Sequence, residues 1–269
     1  MIELVDIGVN LTNKSLLRDL DAVMQRAGEA GVRHMVVTGT SVDESRQAIE
    51  LCRRYPERLV STCGVHPHHA SEWNEGSRDA LEAMAREDCV RAIGETGLDF
   101  NRNYSPPTAQ EFAFEQQLDL AANLGLPLFC HQRDAHQRFV EMLGDYRDAI
   151  DRLVVHCFTD SRQALMDYLD LDCYIGVTGW ICDERRGLEL QQLVKLIPAN
   201  RLLLETDAPY LLPRDLEPKP SSKTNEPAYL PHILRAVARH RDQSESALAS
   251  QVLDNSRLFF EIPTASAPL

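Results

Sequence analysis

At 269 residues with 43% hydrophobic content, the chain can bury one sizeable core, as α/β barrels of this length do. Its 28 basic against 41 acidic residues give a formal net charge of −13. That excludes a protein that coats nucleic acid by charge alone, but not an enzyme that meets phosphate through bound cations. Seven cysteines with no Cys-x-x-Cys pair, several inside apolar runs (Cys63, Cys130, Cys157), predict buried thiols in a reducing compartment. The chain opens on a strand-like run with no basic leader, and no stretch approaches the roughly 18 apolar residues of a membrane span. A soluble, cytoplasmic protein without membrane contact is expected.

Eight strand–helix units can be read in order. A first strand over 2–6 is followed by a helix over 16–30 with apolar positions three and four apart, closed by Gly31. Strand two covers 35–37 and its helix 43–54. Strand three, 58–63, leads into Gly64-Val65-His66-Pro67-His68-His69, and a helix over 77–86 precedes strand four at 90–94. After a long loop over 97–107, a helix over 108–124 closes at Gly125. Strand five is 126–130, helix five 134–143, strand six 153–157, and 161–169 is helical. Strand seven is 173–177, with a loop carrying Trp180 and a helix ending near Ile197. Strand eight is 201–204 and its helix 227–240. Residues 244–260 read as one or two extra helical turns.

Short apolar runs alternating with amphipathic helices, with no linker between them, predict an α/β fold of the (β/α)8 TIM-barrel type. The expected domain is a single one over 1–262, with a frayed tail at 263–269. A doubly wound open sheet is the alternative, but no Gly-rich phosphate fingerprint follows strand one.

In such a barrel the residues just past the strands converge on one face. Glu95, His131, His156 and Asp207 stand there, after strands four, five, six and eight. A lone strand-end histidine is ordinarily a structural hydrogen-bonding residue. Four metal-capable groups at equivalent positions on separate strands point instead to one divalent-metal site. Glu205, two residues before Asp207, points the same way but lies deeper.

With these positions in place, the chain resembles the TatD-type metal-dependent deoxyribonucleases, a branch of the metal-dependent hydrolase barrels. The likeness runs over 1 to about 260. It rests on Gly64-Val65-His66-Pro67-His68, Gly94-Glu95-Thr96-Gly97-Leu98-Asp99, His131-Gln132-Arg133-Asp134-Ala135, His156-Cys157-Phe158-Thr159 and Glu205-Thr206-Asp207-Ala208-Pro209-Tyr210. The resemblance implies a nuclease acting on DNA, and RNA as well, from a 3′ end with a preference for single strands, in DNA repair or turnover. It departs in one respect. Most of the wider family carries Asp-x-His-x-His after strand one, where the histidines hold one of two metals; here that stretch is Asp6-Ile7-Gly8-Val9-Asn10. One firm ion on Glu95, His131 and His156 is therefore expected, with Mg²⁺ preferred over Mn²⁺ or Zn²⁺. A second, loose ion would involve Asp6, Asn10 and Asp207.

Phosphodiester hydrolysis needs a nucleophile at neutral pH and neutralised charge on the phosphate. Asp207 is the expected general base, with a structural ion pair as its plainer role. The resemblance assigns His66 to the phosphate or leaving group, the plainer reading being a loop shaped by Pro67 with solvated histidines; His68 is left open between the two, and His69 is read as surface. Arg133 is placed to contact phosphate or, equally, to pair with Asp134 or Glu95. Arg102, Arg185 and Arg186 could track a nucleic-acid backbone or pair with Asp183 and Glu184. Trp180 and Tyr210 could stack on bases or pack in their loops; Lys219 and Lys223 flank a rigid Pro-rich turn. Two other functions compete: a small-molecule amide or ester hydrolase, and a non-catalytic barrel that binds nucleic acid. Nothing in the sequence implies an obligate protein partner, and a monomer is expected.

Overall fold

The computed structural model describes residues 2–262; the predicted tail at 263–269 lies outside them. The eight strands are β1 (Leu4–Val9), β2 (Val32–Val37), β3 (Leu59–Cys63), β4 (Val90–Asp99), β5 (Leu128–Arg133), β6 (Leu153–Val155), β7 (Tyr174–Val177) and β8 (Leu202–Leu204). All pair in parallel in sequence order within one sheet. β1 and β8 meet through a single bridge, Val9 to Ala208, reinforced by the Asn10 amide donating to the Ala208 carbonyl at 2.8 Å and the Asp207 amide to the Gly8 carbonyl at 2.9 Å. This is the expected (β/α)8 barrel. Its seam closes beside Asp207.

The surrounding helices are α1 (Lys14–Leu17), α2 (Leu20–Glu29), α3 (Val42–Arg54), α4 (Glu75–Ala85), α5 (Pro107–Leu124), α6 (His136–Tyr146), α7 (Arg162–Asp170), α8 (Leu188–Leu193), α9 (Leu230–His240) and α10 (Glu245–Phe260). Side-chain caps set several starts: Ser41 accepts from the Glu44 amide, Ser161 from Ala164, and Asn74 forms a capping box with Ser77. Gly125, at φ +65°, ends α5 in the left-handed conformation where a Cβ would be strained. Among the described residues no helix is long and apolar enough to cross a membrane.

Several elements differ from the sequence reading. The helix expected over 16–30 is two helices, because Asp19 leaves the helical region at φ −134°. β4 and β5 run beyond their expected ends, pairing out to Gly97↔His131 and Asp99↔Arg133. The loop expected from Gly97 therefore begins after Asp99. Residues 245–260 form one 16-residue helix rather than a turn or two. Its terminal Phe259 and Phe260, both fully buried, join the barrel-interior side chains Val5, Ile7, Val36, Val60, Phe129 and Leu203 in one cluster.

Candidate active site

The extended β4 and β5 carry the heart of the site. Glu95, Gly97 and Asp99 alternate onto one face of β4, and His131 and Arg133 stand opposite on β5. Gly94, at φ +139°, lets β4 approach β5 closely, since a Cβ there would lie 2.2 Å from the Phe129 carbonyl oxygen. The loop after β3 brings His66, and the residue following β6 is His156.

Two buried glutamines of α5 clamp these loops. Gln117 accepts from the Val65 amide at 2.7 Å and donates to the Val65 carbonyl at 3.0 Å. Gln110 accepts from the Asp99 amide at 2.8 Å and donates to the Asp99 carbonyl at 3.1 Å. Each satisfies both backbone groups of one residue, Val65 in the loop after β3 and Asp99 at the end of β4, and so ties that segment to α5.

Three imidazoles converge on one oxygen. Glu95 Oε1 lies 2.8 Å from His156 Nε2, 3.2 Å from His131 Nδ1 and 3.2 Å from His66 Nε2. His131 and His156 share a pattern. The other nitrogen of His156 is 3.2 Å from Glu205, and that of His131 is 3.4 Å from Asp99. Each ring thus lies between Glu95 and an outer carboxylate. His66 differs, because its Nδ1 accepts the His68 backbone amide at 3.0 Å. A backbone N–H only donates, so Nδ1 is unprotonated and the His66 proton sits on Nε2, facing Glu95.

The electrostatics follow from this. Burial opposes the charge on His156 and on His131, but the flanking carboxylates outweigh it. Glu95 and Glu205 hold His156 well above its ordinary value, and Asp99 and Glu95 raise His131. Burial likewise works against the Glu95 anion, and the histidines overcome it, leaving its pKa well below the usual carboxylate range. His66 goes the other way: burial pushes it down to about 4, so it stays neutral. Asp207 is pushed up to about 7, chiefly by burial, with His156 opposing and the Glu95 and Glu205 charges adding to the rise.

His66, Glu95, Asp99, His131, His156 and Asp207 line a cavity of about 580 Å³ together with Asn10, Arg102, Arg133 and Tyr210. Asp207 adopts φ +54° and accepts from the Asn10 side-chain amide at 3.1 Å. Asn10 is therefore engaged with Asp207. Asp6 does not line the cavity: it is fully buried beneath it, accepting from the Thr206 amide at 2.9 Å and the Thr206 hydroxyl at 2.5 Å. The loose second ion expected on Asp6 and Asn10 thus finds Asp6 turned away from the cavity.

Glu205 occupies the space that a longer side chain at position 8 would need. A Cβ on Gly8 would lie 2.2 Å from Glu205 Oε2, and one on Gly176 2.5 Å from Oε1. Glu205 also accepts from the Cys157 amide at 2.6 Å. It lies deeper than Asp207, as its place in the strand implied.

Of the proposed substrate contacts, Arg133 and Arg102 border the cavity, and Arg133 pairs with neither Asp134 nor Glu95. His68 also lines it, 2.7 Å from Asp99, while His69 sits at the exposed rim 2.9 Å from Glu72. Arg185 and Trp180 lie elsewhere. Arg186 stacks over the Trp180 ring at 4.6 Å and pairs with Asp183 at 3.1 Å; Arg185 reaches Glu184 at 3.8 Å. Trp180 and Arg186 line a separate recess with Asp183 and Arg214. Lys219 and Lys223 do not line the cavity.

Sequence reasoning passed over Asp99. It is almost fully buried between His68 and His131, and its other oxygen accepts the Asn101 and Arg102 amides at 3.1 and 2.8 Å. The signal was available: Asp99 lies four residues after Glu95, on the same face of a strand.

The donor set fits a divalent cation. His131 Nδ1 and His156 Nε2 both lie within 3.2 Å of Glu95 Oε1, and Asp207 lines the same cavity. Imidazoles backed by outer carboxylates are the arrangement that orients histidines for a metal.

A family model described as TatD related DNase matches residues 5–261. The chain is 54% identical over 257 residues to the 3′-5′ ssDNA/RNA exonuclease TatD of Salmonella typhimurium, covering 96% of this chain and 98% of that one. It is 52% identical over 262 residues to the protein of the same name from Citrobacter rodentium, covering 97% and 99%. Among solved structures, a TatD family hydrolase from Entamoeba histolytica superposes with a TM-score of 0.89 at 27% identity, covering 97% of this chain and 99% of that one. The family match spans the barrel from the first strand to the end of α10, and the chain belongs to the TatD-related DNase family.

Proposed function

We propose that this chain is a metal-dependent exonuclease that hydrolyses phosphodiester bonds of single-stranded DNA and RNA from the 3′ end. The observation that carries the reading is the convergence of His131 and His156 on Glu95, each backed by a second carboxylate, with Asp207 in the same cavity. The relatives at more than half identity bear that activity in their names. The barrel over 1–262 would be the catalytic unit.

Glu95, His131 and His156 would hold the ion, and Mg²⁺ would suit the hard oxygens of Glu95 and of a substrate phosphate. Once bound, a divalent ion lowers the pKa of a water and neutralises phosphate charge. Asp99 and Glu205 hold the two histidine rings in the orientation that turns Nδ1 and Nε2 towards Glu95. Asp207, near neutrality in its proton affinity, accepts a proton from the attacking water, and the Asn10 amide keeps its carboxylate in place. His66 is neutral with its proton on Nε2. It is therefore a hydrogen-bond donor to a phosphate oxygen rather than a ligand. Arg133 and Arg102 supply the charge that offsets an acidic protein at the cavity mouth.

The test uses end-labelled single- and double-stranded DNA and RNA with added Mg²⁺, Mn²⁺ or Zn²⁺. Stepwise shortening from the 3′ end should vanish with chelator and in Glu95→Ala. Asp207→Asn should slow single-turnover cleavage by about 10²–10⁴-fold, the range for removing a general base. Shortening that survives both chelator and Glu95→Ala would overturn the proposal.

A further inference from the structure

Away from the cavity, a second set of metal-capable side chains meets at the outer edge of the barrel rim. Cys182 ends the short turn Gly179–Cys182 that follows β7, Asp215 lies in the long loop after β8, and His232 stands in the first turn of α9. None of the three lines the Glu95 cavity. Their ligand atoms all lie within 4.8 Å of one another, and His232 Nε2 is 2.6 Å from Asp215 Oδ1. Cys182 is buried, His232 partly buried and Asp215 open to solvent, so the group has a protein side and a water side.

Chemistry distinguishes this set from an ordinary ion pair beside a thiol. One sulfur, one imidazole and one carboxylate are the donors that borderline-soft ions take, and three protein ligands leave a fourth position for water. A thiolate and a carboxylate together carry two negative charges, which one divalent ion balances. A thiol beside a carboxylate has no such use by itself. Burial and the Asp215 charge push the Cys182 thiol up, while Arg239 and Arg235 on α9 act in the opposite sense. Ligand atoms around a tetrahedral ion with Zn–S near 2.3 Å and Zn–N near 2.0 Å lie about 3.5 Å apart. Side-chain rotations on the order of an ångström would bring the widest pair to that spacing and part the closest one.

We propose that Cys182, Asp215 and His232 form a second, peripheral metal site, selective for Zn²⁺, which pins the loops after β7 and β8 to α9. The neighbouring residue Asp183 already gathers these loops by polar contacts, pairing with Arg186 at 3.1 Å and Arg214 at 3.7 Å. The loop after β8 carries Asp207 near its start. Fastening its far part would therefore steady the segment that leaves the cavity, without placing the ion among the reacting atoms. This site uses none of the residues assigned to catalysis, so it stands or falls separately from the exonuclease reading.

The test is a Co²⁺ and Zn²⁺ titration of the full-length protein, read by near-ultraviolet absorption and thermal melting. Co²⁺ should give a sulfur-to-metal charge-transfer band that is retained in Cys157→Ser, whose thiol lies in the main cavity, and in Glu95→Ala. It should be lost in Cys182→Ser and in His232→Gln. Zn²⁺ should raise Tm in Glu95→Ala, which lacks the main site, and leave the Glu95→Ala, His232→Gln double variant unmoved. Because Cys182→Ser removes a buried group and can disturb folding, His232→Gln and Asp215→Asn, both nearer solvent, keep the assignment testable. Absence of the band in the wild type, its loss in Cys157→Ser, or its persistence in both Cys182→Ser and His232→Gln would overturn the proposal.

Discussion

Asp99 shows how a single buried carboxylate organises this rim. One oxygen lies 2.7 Å from His68 and 3.4 Å from His131, and the other accepts the amides of Asn101 and Arg102. Burial alone would raise its pKa, but the His131 and His68 contacts and the backbone donor hold it well below the usual carboxylate range. Asp99→Asn keeps the shape and removes the charge. It is expected to weaken metal affinity or activity by about 10–100-fold, as loss of an outer partner of a metal-binding histidine does. The readout is the Mg²⁺ concentration for half-maximal cleavage together with the rate at saturating Mg²⁺; both unchanged would show that Asp99 does not orient His131. Gly8 makes the converse point about space. Its missing Cβ is where Glu205 lies, 2.2 Å away, so Gly8→Ala should destabilise the fold by about 1–3 kcal/mol through overpacking. Urea unfolding checks it, and a midpoint equal to wild type would mean that Glu205 shifts freely. The same closeness bears on the Asp-x-His-x-His pattern that the resemblance leads one to expect after strand one. With Glu205 placed as it is here, a histidine at position 8 has no room.

At the scale of elements, the strands read most clearly where apolar runs were continuous and least clearly where polar residues continued a strand. β4 runs on through Glu95 to Asp99 and β5 through His131 to Arg133, and those functional residues made the strands look finished early. The extensions pair with each other, Gly97 with His131 and Asp99 with Arg133, and in β4 the polar Glu95, Thr96 and Asp99 are buried all the same. α10 was under-read for a related reason. Its Ser244 cap and its length are local, but its purpose lies in Phe259 and Phe260, which pack on side chains from many strands. Phe260 touches this inner cluster through Phe129, 6.5 Å between ring centroids, and Phe129 in turn stacks on His156 at 4.7 Å. Phe260→Ala should cost about 3–5 kcal/mol, the range for a fully buried aromatic. Urea unfolding at fixed pH measures it, and a loss below about 1 kcal/mol would show that α10 is not part of the core.

For the molecule as a whole, the −13 charge and the proposed nucleic-acid substrate meet at a small number of cations. Arg133 and Arg102 border the cavity, whereas Arg186 is held by Asp183 and Trp180. Two phosphate contacts imply a shallow salt dependence of single-strand binding, with a log–log slope of roughly −1.4. Binding of a labelled strand in Ca²⁺ across a salt series gives that slope, and Arg133→Ala should flatten it by about half. A slope several times steeper would place a larger basic surface elsewhere. The barrel was legible in the chain because burial on both faces of parallel strands writes itself locally as apolar runs, and helix faces write themselves as three-and-four spacing. Glu95, His131, His156 and Asp207 were legible because strand ends in a barrel share one rim. The rest needed closure of the sheet. Only tertiary structure decided that three imidazoles share Glu95 Oε1, that Asn10 holds Asp207 across the β1–β8 seam, that Arg186 covers Trp180, and that His66 is a donor. The first two depend on contacts between residues far apart in sequence and the last two on the conformation of a loop, and local pattern encodes neither. The chain by itself determined which residues would reach the rim; packing determined which atoms face one another there.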